Sequence, residues 1–442
     1  MNETAFKTVT GVLEKGMNRQ LLYYLDVCTR CSICKDACHQ YVSTGDVLFL
    51  PAYRAELIRR VYKKYFTRSG LFLPSLYEAR EFDDRLLDEL YRSTYACTGC
   101  RRCMYYCPFS IDTTWVLGVA KAMLIAAGRG AQILTELAGA AIVKGENIDL
   151  FKDIMLDLNK ETEKELQSLV NDPEAAISIE KEGADILYAA LAGVHSILPP
   201  AVIFHKAGLN WTLSLFESSN YGYFLGDTEK GRIIAKRIVD EATRLKVKEV
   251  VISECGHAYR VMQYLYETWA KEKLPFRVTA MAEIIARLIR EGRVEIPSGK
   301  ERKIVTYHDP CQVGRNAGFY EEPRYVLNHV ASNLRELTPN REKNWCCGGG
   351  GGLVAQPEFD EFRIKTGERK AGQIKMTRAG LVVSPCENCR LQITALNEKY
   401  ELGVKVTGLS DVVANSLIGR DIASSFEAGQ LEEPESDDEK GV

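Results

Sequence analysis

The chain has 442 residues, of which 57 are basic, 60 are acidic and 14 are cysteine, and its net charge is -3. This length predicts about three domains with separate cores and excludes a small scaffold held together by disulfides. The balanced charge gives no sign of nucleic-acid binding. Because the cysteines lie in tight clusters, they indicate metal or redox chemistry rather than the disulfide framework of a secreted protein.

The first third of the chain contains two cysteine runs with the same spacing, C-x2-C-x2-C-x3-C. This spacing is typical of paired [4Fe-4S] cubanes, in which three thiolates of a run bind one cluster and the fourth binds the other. A zinc site uses four ligands and leaves the third evenly spaced cysteine of each run unexplained. We predict two cubanes, the first bound by Cys28, Cys31, Cys34 and Cys107 and the second by Cys97, Cys100, Cys103 and Cys38.

Two basic segments of this region allow more than one interpretation. Arg101 and Arg102 lie inside the second cysteine run and either donate hydrogen bonds to cluster sulfurs or are solvated. Residues 54–68 predict an amphipathic helix, which either packs on its own domain with a solvated basic face or rests against a membrane; we favour the first. Its apolar face is formed by Leu57, Ile58, Val61, Tyr62, Tyr65 and Phe66, and its basic face by Arg59, Arg60, Lys63 and Lys64.

The patterning along the chain predicts an α+β multidomain protein. Residues 1–130 are helical around the cysteine runs, and residues 131–183 form a helical connector free of cysteine. From residue 184 short apolar strands alternate with amphipathic helices, which is typical of α/β layers. The acidic residues 423–442 have little to bury and predict a disordered tail. The predicted strands are 186–191, 250–253, 304–307 and 381–384, and the predicted helices are 231–245, 284–290 and 412–418.

Residues 186–204 are the most membrane-like stretch, with His195 as their only ionisable side chain. Asp185 adjoins this stretch and Pro199 and Pro200 interrupt it, so we predict a buried strand followed by a loop. The first ten residues lack the apolar run of a signal peptide. We therefore expect a cytoplasmic chain without a membrane span.

The α/β half contains an internal repeat. Residues 278–286 match residues 406–414 in apolar pattern and helix-start chemistry, at an offset of 128. Residues 250–255 match residues 381–386 at an offset of 131. Two matches in the same order and at nearly the same offset predict a duplicated unit, spanning 184–300 and 301–422. The alternative is chance similarity between two common patterns.

A third cysteine constellation lies in the second unit. Each of its elements sits at the end of a strand or in a Gly-rich loop, where backbone can approach a bulky inorganic group. The alternatives are a zinc site or buried free cysteines. Five thiols exceed the need of one zinc, and adjacent cysteines can hardly both bind it without strain, so a larger cluster fits better. The five are Cys311, Cys346, Cys347, Cys386 and Cys389.

This constellation resembles the CCG domain of heterodisulfide reductases, whose five cysteines hold a noncubane [4Fe-4S] cluster that performs disulfide chemistry. With the two cubane motifs ahead of it, the chain from about residue 20 to 420 resembles the D subunit of that enzyme. It is similar in particular to the DsrK-type subunits of sulfate-reducer membrane complexes and their Hmc and Tmc counterparts. Residues 217–227, 254–258 and 307–311 carry the similarity. The resemblance implies a helical two-cluster ferredoxin domain followed by a duplicated CCG-type unit that holds one noncubane cluster.

The first unit departs from the family pattern and is a degenerate CCG repeat. Asn220-Tyr221-Gly222 stands in place of Cys346-Cys347-Gly348, and only Cys255 remains of the corresponding cysteines. A mechanism with two facing noncubane clusters is therefore excluded. We expect the Cys255 thiol to face the remaining cluster across an open gap, where it could bind iron, exchange with a substrate disulfide or hold a product sulfur. The alternative is a buried free cysteine.

The resemblance also implies a function. It predicts a cytoplasmic subunit, peripheral on the inner face of the membrane, that passes electrons from an integral-membrane cytochrome b-type partner through two cubanes to the noncubane cluster. There the disulfide or trisulfide of a small DsrC-like thiol protein is reduced; other iron-sulfur or cytochrome c subunits could complete the complex. His257 and His308 either supply protons near the noncubane cluster or are structural. Two alternatives are the iron-sulfur subunit of a glycerol-3-phosphate, glycolate or lactate dehydrogenase, and an electron conduit without its own substrate.

Overall fold

The computed structural model describes residues 3–143, 148–191, 193–297 and 301–422, so the predicted tail at 423–442 lies outside the described residues. Helices form the N-terminal part, and apolar side chains of α4, α6 and α8, such as Leu57, Leu86 and Leu124, are completely buried in its core. The helices are α1 (Glu3–Gly16), α2 (Arg19–Val27), α3 (His39–Thr44), α4 (Pro51–Phe66), α5 (Arg68–Phe72), α6 (Asp84–Tyr95), α7 (Arg102–Tyr106) and α8 (Thr113–Ala126).

The predicted amphipathic helix exists as α4, but its basic face is not solvated as predicted. Arg59 is 5% exposed, donates a hydrogen bond to the Leu25 carbonyl and forms an ion pair with Glu56. The segment after α4 folds back over the remaining basic side chains; Lys64, for example, forms an ion pair of 3.0 Å with Glu81. Neighbouring carboxylates and carbonyls therefore take the place of water on this face.

Two helices follow the N-terminal part, α9 (Gln132–Val143) and α10 (Ile148–Val170). Helix α9 contributes Leu134 and Ala138 to the apolar core of the N-terminal part. Helix α10 contributes Leu166 and Leu169 to the core of the α/β half. The two helices thus pack against different parts of the protein.

The α/β half contains two four-stranded parallel sheets with the same strand order, β2-β1-β3-β4 and β6-β5-β7-β8. This repeated topology agrees with the duplication seen in the sequence. The first unit contains β1 (Ile186–Ala189), α11 (Val194–Lys206), β2 (Trp211–Leu213), α12 (Tyr221–Leu225), α13 (Thr228–Arg244), β3 (Glu249–Ile252), α14 (Gly256–Arg260), α15 (Tyr266–Ala270), β4 (Arg277–Ala280) and α16 (Met281–Arg290). The second contains β5 (Val305–Tyr307), α17 (Glu321–Val330), β6 (Leu334–Glu336), α18 (Asp360–Thr366), α19 (Glu368–Thr377), β7 (Leu381–Val383), α20 (Glu387–Tyr400), β8 (Lys405–Thr407) and α21 (Leu409–Ile418).

One apolar core joins the two units. Helix α11 of the first unit packs on α21 of the second, and α16 packs on α17. Ile203, Ile285, Val326 and Val413 of these helices are completely buried in this shared core. The helices between the two units therefore cover one face of each sheet. This is expected for parallel sheets, which are buried on both faces.

The prediction of a loop around Pro199 and Pro200 is wrong, because α11 runs through both prolines. A proline inside a helix leaves the carbonyl four residues earlier without its usual donor. Here the hydroxyl of Tyr188 donates to the Ser196 carbonyl at 2.7 Å and replaces the bond that Pro200 cannot make. Among the described residues no helix is long and apolar enough to cross a membrane.

Candidate metal centre

The two cysteine runs of the N-terminal part form loops with the same backbone conformation. Their third and fifth residues are left-handed, with φ between 58° and 65°: Arg30 and Ser32 in the first run, Gly99 and Arg101 in the second. Left-handed backbone is unfavourable for residues other than glycine. Its repetition at matching positions therefore indicates that both loops must wrap around a group of the same shape.

The first predicted set of thiols surrounds one cavity. Cys28, Cys31, Cys34 and Cys107 all line it, and so does Cys103 of the second set. Burial, reinforced by the neighbouring thiols Cys28 and Cys107, raises the pKa of Cys34 to about 11, which places the last cysteine of the second run beside those of the first. Cys31 is exposed, so this set reaches the surface of the protein.

The second predicted set is more deeply buried. Burial raises the pKa of Cys103 well above its usual range, and the nearby thiols Cys100, Cys38 and Cys97 raise it further. Cys38 itself is 8% exposed, and its pKa is raised by burial and by the Cys100 and Cys97 thiols of this set. Each set offers four soft sulfur donors, which is the donor set of a cubane.

The five cysteines of the second unit form one buried group, which we call the thiol centre. Cys347 Sγ lies 3.3 Å from Cys389 Sγ, and the amides of Gly348 and Gly349 lie 3.4 Å from Cys346 Sγ and Cys347 Sγ. A buried, sulfur-only donor set with backbone N–H groups directed at it fits an iron-sulfur cluster. The five members, all between 1% and 7% exposed, are Cys311, Cys346, Cys347, Cys386 and Cys389.

The thiol centre directly adjoins the second cubane set. Cys346 Sγ lies 3.4 Å from Thr98 Oγ1, one residue from Cys97. The Gly-rich loop after Cys347 packs on the same segment: a Cβ at Gly351 would lie 2.5 Å from the Cys97 carbonyl oxygen. Only glycine permits this approach, because any side chain here would collide with backbone.

Arg102 links the N-terminal part to the second unit. Its side chain is buried, and it donates to the carbonyls of Ala37 at 2.9 Å and Lys343 at 3.0 Å. Its guanidinium lies 3.6 Å from the ring centre of Trp345. Arg102 is thus neither solvated nor directed at a sulfur, and Arg101 forms an ion pair of 2.5 Å with Asp112.

We expect Arg102→Met to lower the free energy of unfolding by about 2 kcal/mol, because two buried carbonyls lose a charged donor and Trp345 loses its cation. Thermal unfolding of the full chain, purified without oxygen, measures this effect. Arg85→Met is the control, since the Arg85 side chain is 85% exposed. Equal unfolding temperatures for the two variants would contradict the role of Arg102.

His308 and a buried lysine share one hydrogen-bonded network beside the thiol centre. Lys370, completely buried on α19, donates to Asn344 Oδ1 at 2.7 Å, and Asn344 Nδ2 donates to His308 Nδ1 at 3.2 Å. His308 Nε2 therefore carries the ring proton. A ring nitrogen of His308 lies within 4.8 Å of the Cys347 and Cys389 sulfurs. Burial, partly offset by the nearby Cys347, lowers the pKa of Lys370 to about 7.

His257 and Cys255 lie on the loop of the first unit that faces the thiol centre. The Glu387 amide donates to the Glu254 carbonyl at 2.9 Å, which brings this loop against the start of α20. Burial, reinforced by the nearby Cys386 thiol, raises the pKa of Cys255 to about 12. The Cys255 side chain also belongs to the apolar core of its own unit. His257 contacts the Gly-rich loop instead of a thiol, with its Nε2 accepting from the Gly351 amide at 3.4 Å.

Lys370, Asn344 and Thr98 are site residues that were not predicted from the sequence. Lys370 lies on the polar helix α19, and nothing in its spacing signals that it is buried. Asn344 lies two residues before Cys346, and Thr98 directly follows Cys97. Proximity to a cysteine was the one available signal for these two residues.

Comparisons with known proteins agree with this geometry. Residues 24–111 match the family model of a 4Fe-4S dicluster domain, and residues 305–394 match that of the CCG cysteine-rich domain. The chain is 30% identical to the Hdr-like menaquinol oxidoreductase iron-sulfur subunit 2 of Archaeoglobus fulgidus, over 94% of this chain and 83% of that protein. It is 25% identical to the D subunit of the dihydromethanophenazine:CoB--CoM heterodisulfide reductase of Methanosarcina mazei, over 93% of this chain and 98% of that protein.

A more distant relative is the EtfAB:quinone oxidoreductase of Syntrophomonas wolfei, which is 23% identical over 84% of this chain and 54% of that protein. The first two relatives share nearly the full length of the chain, in which the dicluster and CCG domains follow the same order as the thiol sets described above. The chain therefore belongs to the heterodisulfide reductase family, as an iron-sulfur, electron-transfer subunit of Hdr-like oxidoreductases.

Proposed function

We propose that this chain carries electrons from a membrane-embedded, cytochrome b-type partner to its thiol centre, where a disulfide or trisulfide is reduced to thiols. The substrate we propose is a small DsrC-like thiol protein, and the location is the cytoplasmic face of the membrane. Two cubanes, bound by the two sets of four cysteines, and a noncubane [4Fe-4S] cluster at the thiol centre are the cofactors. Relatives named as menaquinol and quinone oxidoreductases support a quinol-linked electron source.

The observation that carries this proposal is the order of the three thiol sets. The first set reaches the surface at Cys31, the second is less exposed, with Cys38 buried, and the thiol centre touches the second through Thr98 and Cys346. A surface-to-interior series is the arrangement that a relay from an external partner to a sheltered reaction site needs. The Gly-rich loop packs on Cys97, which keeps the distance of the last electron transfer, from the second cubane to the thiol centre, short.

The reaction must deliver two electrons and two protons for each sulfur-sulfur bond that breaks: a disulfide gives two thiols, and a trisulfide, with two such bonds, gives two thiols and hydrogen sulfide. One-electron carriers need a centre that stabilises the half-reduced sulfur, and the noncubane cluster supplies that chemistry when bound. The chain's own contribution is electrostatic and positional. The Lys370 ammonium places a buried positive charge beside the thiol centre, and Asn344 holds His308 with its Nε2 proton available to a sulfur.

We expect Lys370→Met to lower the midpoint potential of the thiol centre by at least ~40 mV, because a buried cation favours the more negative, reduced state. The titration is monitored by EPR at a pH of about 6, where Lys370, with a pKa of about 7, is charged. Lys375 on the same helix is exposed, so Lys375→Met is the matched control. An equal potential in the two variants would exclude this role.

The proposed function is tested by giving the anaerobic protein a low-potential viologen donor and the disulfide form of a DsrC-like protein. We expect about two electrons consumed for each pair of thiols formed, and much slower turnover of a small disulfide such as cystine. If neither the DsrC-like disulfide nor cystine makes the protein oxidise the viologen, the protein is not a disulfide reductase.

A second candidate is the iron-sulfur subunit of a flavoprotein-linked dehydrogenase. The EtfAB:quinone oxidoreductase among the relatives favours it, since its name couples a protein called Etf to quinone. Purification of the native complex distinguishes the two: a co-purifying flavoprotein supports this candidate, whereas a cytochrome b-type subunit supports disulfide reduction. Transfer of electrons without turnover of any disulfide would instead indicate an electron conduit without its own substrate.

A further inference from the structure

His39 follows the fourth cysteine of the first run, and its surroundings differ from those of its counterpart in the second run. The counterpart is Pro108, which is exposed. His39 is only 2% exposed and begins α3, directly after Cys38. A polar imidazole therefore lies inside the protein at a position where the equivalent loop faces solvent.

Hydrogen bonds of the neighbouring residue fix the start of α3 against the second cysteine run. The Gln40 side chain donates to the carbonyl of Ala96, the residue before Cys97. Arg54 donates in turn to Gln40 Oε1 at 2.6 Å, and both of these side chains are buried. The backbone that carries His39 is therefore held beside the second cubane set.

The His39 ring lies at the junction of the second cubane set and the thiol centre. One of its nitrogens, Cys100 Sγ and Cys346 Sγ all lie within 4.8 Å of one another. Cys100 belongs to the second predicted cubane set, and Cys346 belongs to the thiol centre. One imidazole is thus within reach of a sulfur from each set.

The protein itself leaves this imidazole incompletely hydrogen-bonded. His39 Nε2 is buried and has no hydrogen-bond partner among the residues that the structure describes. An imidazole carries at least one N–H group, and a buried N–H group without an acceptor is rare and unfavourable. Cysteine thiolates bound to iron can accept a hydrogen bond but have no proton to donate, so they suit this ring as acceptors.

The effect of His39 on Cys100 has the sign expected of a donor. The Cys346 thiol and burial raise the pKa of Cys100 to about 11, and a hydrogen bond with His39 acts against this rise. A donor stabilises the thiolate, which is the form of cysteine that binds iron. All three guanidinium nitrogens of Arg315 donate to backbone carbonyls, one of them that of Cys100. His39 rather than Arg315 is therefore placed to donate to the Cys100 sulfur.

We propose that the buried N–H group of His39 donates a hydrogen bond to the Cys100 sulfur and so raises the reduction potential of the second cubane. Reduction adds negative charge to a cluster, and a hydrogen bond to its sulfur stabilises that charge. A higher potential at the second cubane favours electron transfer into it from the first. This consequence rests on the proposed relay, whereas the hydrogen bond requires only the cubane and no disulfide substrate.

Redox titration of the full, anaerobically purified chain with its clusters tests this role, with EPR of both cubanes as the readout. We expect His39→Leu to lower the ratio of reduced to oxidised second cubane about tenfold at a fixed potential, a shift of ~59 mV. His39→Gln keeps an N–H group and should restore part of the ratio. The second-cubane signal is the one that Cys103→Ser removes, and the first cubane should titrate unchanged in every His39 variant.

The matched control is His205→Leu, since His205 lies on α11 and its partner is Asp172, at 3.4 Å. It should leave both cubane potentials unchanged. Equal second-cubane potentials in His39→Leu and the unchanged chain would overturn the proposal.

Pulsed EPR of the unchanged chain, labelled with 15N-histidine, observes the hydrogen bond directly. We expect a weak nitrogen coupling to the reduced second cubane, which His39→Leu should lack. If His39→Leu does not assemble the second cubane, the coupling in the unchanged chain decides. No coupling, or the strong coupling of a nitrogen bound to iron, would overturn the proposal. Neither measurement uses a disulfide, so failure of disulfide reduction and failure of this hydrogen bond are separate results.

Discussion

Replacing Cys107 with serine should remove the first cubane, although Cys107 belongs to the second cysteine run. Cys107 lines a cavity with Cys28, Cys31, Cys34 and Cys103, and Cys107 adds to the effect of burial in raising the pKa of Cys34. Cys38→Ser should remove the second cubane for the same reason, since Cys38 lies with the other set. Each variant should lose about four of the roughly eight iron atoms that two cubanes hold.

Iron analysis and EPR of the reduced protein distinguish this arrangement from one in which each cysteine run supplies all four ligands of its own cluster. The informative comparison is Cys103→Ser, which removes a ligand of the second set. We expect Cys107→Ser and Cys103→Ser to lose different EPR signals. Loss of the same signal in both variants would mean that each run binds its own cluster.

Cys347→Ser should abolish disulfide reduction and remove the cluster of the thiol centre while both cubanes remain. Cys347 is 1% exposed and lies 3.3 Å from Cys389 Sγ, so no solvent ligand can replace its thiolate. The core around the cubane sets is formed mostly by the N-terminal helices, which should survive the substitution.

The measurements are iron content, the two cubane EPR signals and thiol formation from the disulfide. Cys255→Ser is the comparison on the facing loop, since Cys255 lies near Cys386 but also packs in the core of the first unit: undiminished thiol formation in this variant would exclude a role for the Cys255 thiol. Loss of all iron in Cys347→Ser would show that the two parts fold as one unit. Normal thiol formation in that variant would place the reaction elsewhere.

The central strands of both sheets could be predicted from the sequence, but every edge strand was missed. The missed strands β2, β4, β6 and β8 have three or four residues each. In β6 and β8 side chains such as Arg335 and Lys405 are exposed, as is common at sheet edges. A short strand with charged side chains carries no apolar run, so its pairing follows from the neighbouring strand and not from its own sequence.

The cysteines of the site could be grouped from spacing because cluster ligation fixes that spacing. The groups around them could not, since their roles depend on contacts between distant segments. Lys370 reaches Asn344 across 26 residues, and Arg102 reaches Lys343 across 241. The helix through Pro199 and Pro200 was missed for the same reason, because its compensating donor is Tyr188 on a preceding strand.

The decisive measurement follows electrons from the cubanes to a disulfide in a single turnover. Fully reduced protein is mixed with one equivalent of the disulfide form of a DsrC-like protein, frozen at intervals and examined by EPR while thiols are counted. We predict that both cubane signals decrease together with the appearance of two thiols per two electrons lost. Thiols that form while the cubane signals stay constant, or cubanes that stay reduced with no thiol formed, would contradict the proposed relay.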